Sequence, residues 1–131
     1  MQSLKERIRT DGRVLPGNIL KVDSFLNHQL DPAMMQAIGR EFADRFQDAS
    51  VTKILTIEAS GIAVALMAAL ELNVPVLFAK KTRAKTQYDG VYTAEVTSYT
   101  RGETRTIAVS SRYLTAADRV LILDDFLAMG E

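Results

Sequence analysis

Four consecutive aliphatic residues, Val120 to Leu123, followed at once by Asp124 and Asp125, constrain this chain more than any other stretch. An unbroken aliphatic run reads as a strand buried on both faces, the kind that occupies the middle of a parallel sheet. In open α/β sheets ligands bind beyond the carboxyl ends of the strands, so two acids at that edge are placed to meet one. Two carboxylates offer several acceptor sites and suit a diol or a metal-bound polyol. The loop after them, with Ala128, Met129, Gly130 and Glu131, offers backbone N–H groups and would normally lead into a helix N-terminus, which favours a phosphate. Diol beside phosphate describes a ribose 5-phosphate. The plain alternative is a solvated acid pair at a strand end.

The chain has 131 residues, enough for one domain with a buried core. Lys+Arg and Asp+Glu both number 16, so the formal net charge is zero. No global field draws in nucleic acid or an anionic membrane, and any anionic substrate must be bound locally. Cysteine is absent, which excludes disulfides and thiolate metal sites and is compatible with a reducing cytosol. The charged N-terminus lacks an apolar signal core, and the weakly polar run from Gly61 to Leu70 is too short to span a bilayer. A soluble cytoplasmic protein, bound to neither nucleic acid nor membrane, is the expectation.

Leu4 and Ile8 predict a short amphipathic helix over residues 3–10, stopped near Asp11 and Gly12. Val14 to Val22 is mixed, with a turn signal at Pro16 and Gly17. Asp31 and Pro32 read as an N-cap and first helical residue, and Met34, Met35, Ile38, Phe42 and Phe46 carry that helix to about Gln47. Ile54 to Ile57, Gly61 to Leu72 and Val76 to Ala79 then form a strand–helix–strand unit, implying a parallel pair with a right-handed crossover. Lys80 to Gly90 is polar and aperiodic. Val91 to Thr100 and Thr104 to Ser110 alternate as a hairpin around Arg101 and Gly102. The fold class is therefore α/β.

Three further constellations could carry chemistry. Glu58 to Gly61 joins a strand to a helix with small residues, so the backbone can approach an anion; Ser60 can cap the helix or donate to phosphate. Lys80, Lys81, Arg83 and Lys85 form a basic cluster, either a solvated loop or a source of cations for a departing anion. Asn27 and His28 interrupt the apolar residues Leu20, Val22, Phe25 and Leu26; a neutral amide that both donates and accepts suits an oxopurine. The single His28 is read as a capping or packing residue rather than a general base.

The aliphatic run, the two acids, two apolar residues, a small residue and Gly130 resemble the phosphoribosyl pyrophosphate (PRPP) motif of the type I phosphoribosyltransferases. The stretches Leu20 to Pro32 and Thr56 to Ala63 are similar to those of the bacterial xanthine phosphoribosyltransferase family, and the likeness covers essentially the whole chain. The resemblance implies a mostly parallel sheet flanked by helices, with a flexible hairpin loop and an N-terminal base-binding hood over residues 1–50. Residues 51–131 would form a partial PRPP-binding core in the same single domain. It implies transfer of a 5-phosphoribosyl group from PRPP to xanthine with Mg²⁺, in a homodimer.

On that resemblance Leu20 packs on the base and Asn27 bonds its edge, while Ala59, Ser60 and Gly61 meet pyrophosphate. Lys80 or Lys81 neutralises pyrophosphate as it leaves, Asp124 and Asp125 hold the ribose hydroxyls, and Ala128 to Glu131 wrap the 5′-phosphate. Ala128 departs from the related hypoxanthine–guanine enzymes, which carry a carboxylate at the matching position, and Met129 is less usual there than a small polar residue. The resemblance also implies a helix and strands beyond Glu131, so a C-terminally shortened chain with little activity of its own is the expectation. The alternatives are a PRPP-sensing regulator without catalysis and a phosphoribosyltransferase for another purine.

Overall fold

A computed structural model describes residues 1–82, 90–97 and 104–127. Helix α1 (Gln2–Asp11) ends where the Gly12 N–H donates to Ile8 O at 2.9 Å. A Cβ on Gly12 would lie 2.3 Å from that same oxygen, so glycine is required for the closure. Leu4 and Ile8 pack against a core cluster of Val22, Phe25, Leu26, Met35, Ile38 and Val64.

Between helix and cluster the mixed segment forms a small antiparallel hairpin, β1 (Arg13–Leu15) and β2 (Ile19–Lys21). Its turn uses the left-handed conformation at Gly17 and Asn18. A π-helical turn, Asp23–Asn27, follows and buries Phe25 and Leu26. Burying a side chain such as Phe25 contributes about 2–3 kcal/mol, which anchors the turn.

Helix α2 (Pro32–Phe46) begins as expected: Asp31 Oδ1 accepts the Met34 N–H at 3.1 Å and Pro32 fills the first turn. It crosses α3 (Gly61–Leu72) closely, because Gly39 offers no side chain where a Cβ would stand 2.5 Å from the Met67 Cβ. The small residues Ala65, Ala68 and Ala69 of α3 pack with Ile54, Leu121 and Leu123 as a second core cluster.

The main sheet has the order β5-β6-β4-β3-β7. Strand β3 (Lys53–Ile57) pairs in parallel with β4 (Val76–Thr82) and with β7 (Val120–Ile122). The hairpin strands β5 (Val91–Thr97) and β6 (Thr104–Ser110) continue the sheet antiparallel beyond β4. No helix among the described residues is long and apolar enough to cross a membrane.

Two expectations are corrected. The aliphatic run is not buried on both faces: Leu121 and Leu123 are 8% and 4% exposed, whereas Val120 and Ile122 are 36% and 73% exposed. Among the described strands β7 is an edge, paired only with β3, and helices cover one of its faces. The second strand of the strand–helix–strand unit also does not stop at Ala79 but runs on into the polar segment. Pairing of Lys80, Lys81 and Thr82 with Ala108, Ile107 and Thr106 extends β4 through both lysines. Arg83 and Lys85 lie outside the described residues.

Candidate functional site

The parallel strands β4, β3 and β7 end side by side, and the chain turns there from β3 into α3 through Glu58, Ala59 and Ser60. The Glu58 N–H donates to Ala79 O at 3.0 Å, the last bond of that ladder, and the Glu58–Ala59 peptide is cis. On the other side of β3, the Leu123 N–H donates to Leu55 O at 3.0 Å and delivers Asp124 and Asp125 to the same sheet end.

Ser60 makes no cap bond to its own helix. Its hydroxyl donates instead to Asp125 Oδ1 at 2.8 Å, and the Asp125 N–H donates to Asp124 Oδ1 at 2.9 Å. Gly61 permits this approach: a Cβ there would lie 2.6 Å from Asp124 Oδ1 and 2.3 Å from Thr56 Oγ1. Asp125 Oδ2 and the Thr56 hydroxyl are buried and, among the described residues, have no hydrogen-bond partner. A buried acceptor left unmet costs about 1–3 kcal/mol, which a hydroxyl or cation brought by a ligand would offset.

Burial raises the Asp124 carboxyl to about 6, and its hydrogen bond and charge interaction with Asp125 add to this. The Asp125 N–H and the positive charge of Lys81 act in the opposite direction. Lys80 and Lys81, adjacent on a strand, point to opposite faces. The Lys80 ammonium stands 5.9 Å from the centroid of the Phe78 ring, whereas the charge of Lys81 reaches Asp124.

Asn27 and His28, at the end of the π-helical turn, face the Ala59–Ser60 turn across a cavity of about 370 Å³ that Leu30 and Ala63 also line. Leu20 is not among its lining residues; it packs against the first core cluster. A larger cavity of about 750 Å³ opens between β4, β6 and residues 111–113, with Lys80, Lys81, Arg112 and Tyr113 on its wall. Ala128, Met129, Gly130 and Glu131 lie outside the described residues.

Two contributions were not anticipated from sequence. Glu58 Oε1 accepts the Lys81 N–H at 2.6 Å. Asp118 pins the entry of β7 to β3, accepting from Lys53 Nζ at 3.1 Å, Thr115 N–H at 2.9 Å and Thr52 Oγ1 at 3.1 Å. Those bonds, led by the Thr115 N–H and the Lys53 ammonium, hold its carboxyl down at about 2. The position of Asp118 just before an aliphatic run was the available signal, since a carboxylate there can tie a loop to a neighbouring strand.

No family model matches the chain. Its fold is that of the type I phosphoribosyltransferases. The adenine phosphoribosyltransferase of Trypanosoma brucei, solved in complex with AMP, pyrophosphate and ribose-5-phosphate, superposes with a TM-score of 0.67 at 21% identity; the match covers 91% of this chain and 53% of that one. The Leishmania tarentolae adenine phosphoribosyltransferase gives 0.67 at 23% identity, covering 96% and 62%. The chain thus spans little more than half the length of such structures. Among curated relatives, the xanthine phosphoribosyltransferases of Levilactobacillus brevis and Stutzerimonas stutzeri are each 60% identical over all 131 residues, which make up 69% of either protein. The chain belongs to the xanthine phosphoribosyltransferase family.

Proposed function

We propose that this chain carries the PRPP- and base-binding parts of an enzyme that transfers the 5-phosphoribosyl group from PRPP to N9 of xanthine, yielding XMP and pyrophosphate. The observation that carries the reading is the Ser60–Asp125–Asp124 constellation at the joined strand ends, with a buried Asp125 oxygen that no group among the described residues meets. Such an oxygen suits the hydroxyls of a ribose.

In this reading Asp124 and Asp125 hold the ribose, the backbone of Ala59 to Gly61 and Lys80 or Lys81 meet pyrophosphate, and Ala128 to Glu131 wrap the 5′-phosphate. The positive charge of Lys81, which acts on Asp124, favours it as that cation. Asn27 bonds the xanthine edge across the 370 Å³ cavity, and Leu20, which lies outside that lining, packs on the base. Residues 1–50 and 51–131 act as hood and core of one domain. Positioning and charge stabilisation of an oxocarbenium-like transition state dominate. The hairpin Val91 to Ser110 closes to keep water from PRPP.

A hard cation fits the donor set. The site offers carboxylate oxygens, and among the described residues no group of three or more His, Cys, Asp or Glu converges into an all-protein cage. That matches Mg²⁺, which takes one or two carboxylates together with ligand oxygens. Asp124 and Asp125 would hold the ribose hydroxyls directly or through the waters of such a cation, which would neutralise pyrophosphate charge. A cytoplasmic homodimer completes the reading by family analogy, and sizing of the purified protein checks it.

The test is PRPP-dependent consumption of xanthine, hypoxanthine, guanine and adenine with Mg²⁺, by this chain and by a version extended past Glu131. Turnover of xanthine is expected in the extended form. Tight PRPP binding without turnover in either form would replace the enzyme by a PRPP sensor.

A further inference from the structure

Strand β3 leaves the sheet one residue before β4 has finished with it. The last β3–β4 pair is Ile57 with Ala79, and Glu58 still donates its N–H to Ala79 O. The next inward-facing donor on β4 is the Lys81 N–H, for which β3 has no carbonyl left, because the backbone turns away into Ala59 and Ser60. Glu58 Oε1 takes that donor at 2.6 Å. The side chain continues the ladder where the backbone has left it, with the short distance typical of a charged acceptor.

From this we infer that Glu58 is a positioning residue of the anion site: its carboxylate fixes the Ala59–Gly61 turn to the backbone of the residue whose ammonium serves the acid pair. The inference rests on the PRPP reading of that turn. Without the bond, no other hydrogen bond among the described residues ties the turn to Lys81, and the gap between them is free to widen. A carboxylate is otherwise out of place beside a site for anions, since its charge repels them. Its use as an acceptor for the Lys81 N–H gives a reason for its presence, and a neutral acceptor of the same length should serve as well.

The test uses Glu58→Gln and Glu58→Ala, each in this chain and in the version extended past Glu131. Hydrogen exchange of the Lys81 amide is read beside PRPP affinity with Mg²⁺. Glutamine keeps an acceptor oxygen, so Glu58→Gln is expected to retain Lys81 protection and to bind PRPP at least as tightly as the unaltered protein. Glu58→Ala is expected to lose protection and to bind PRPP roughly ten-fold more weakly, with the KM for xanthine unchanged. Lost protection with unaltered PRPP affinity would reduce Glu58 to a fold residue and overturn the proposal. Glu58→Gln as weak as Glu58→Ala would overturn it too, because charge would then be what matters. Absence of PRPP binding by the unaltered protein in both lengths would instead fell the reading of the site, and this proposal with it.

Discussion

Ser60 donates its hydroxyl hydrogen to Asp125 Oδ1 across 2.8 Å, joining the turn after β3 to the acid pair after β7. Sixty-five residues separate them in sequence. The bond leaves Asp125 Oδ2 buried and, among the described residues, without a hydrogen-bond partner.

Ser60→Ala should therefore release Asp125 from its oriented position. One hydrogen bond of this kind contributes about 1 kcal/mol, so PRPP affinity should fall roughly five-fold. Titration calorimetry with Mg²⁺ present checks it, and unchanged affinity would show that the orientation of Asp125 is set elsewhere.

Gly61→Ala places a methyl group 2.3 Å from Thr56 Oγ1 and 2.6 Å from Asp124 Oδ1. Thr56 is 1% exposed and cannot retreat, so the Asp124 carboxylate must. A loss of about 1–3 kcal/mol in unfolding free energy is expected, with PRPP binding abolished. Pairing it with Thr56→Ala should recover part of the stability and none of the binding.

The two lysines of β4 should behave differently. Lys81→Met removes the positive charge that reaches Asp124 and should lower turnover roughly 100-fold, as loss of one transition-state contact does. Lys80→Met removes an ammonium that stands over the Phe78 ring on the other face and should cost far less. Equal losses in kcat/KM would show that both face the leaving group.

Stability should carry two separate pH signatures. Asp124 titrates in the folded protein at about 6, above its ordinary 3.8, so folding favours its protonated form. That contribution is complete below pH 3.8 and is lost as pH rises through about 6. Asp118 is the reverse: its carboxyl is held down at about 2, so its contribution is present above 3.8 and is lost as pH falls toward 2. Unfolding temperatures should show the first slope vanish in Asp124→Asn and the second in Asp118→Asn.

What could be read from sequence were the elements with strong local signals. Asp31 and Pro32 announced α2, and the apolar stretch after Gly61 announced α3 with its observed ends. The β1–β2 hairpin escaped because its strands are three residues long and pair only with each other. The reach of β4 through Lys81 depends on pairing with β6, and the exposure of Ile122 on which strand lies beside β7; neither is local information. The acid pair and the Ser60–Gly61 turn were legible as separate pieces. Their junction, and the Glu58 bond to Lys81, exist only in three dimensions.

The strand order β4-β3-β7 has a metric consequence. Neighbouring strands lie about 4.8 Å apart, so the backbones bearing Lys81 and the two aspartates stand roughly 10 Å apart, with β3 as a fixed spacer. A lone phosphate is too short to engage both banks at backbone level, whereas a sugar bearing a pyrophosphate is long enough. On the proposed reading, the spacing of the strands sets the length a ligand needs to engage both banks at once.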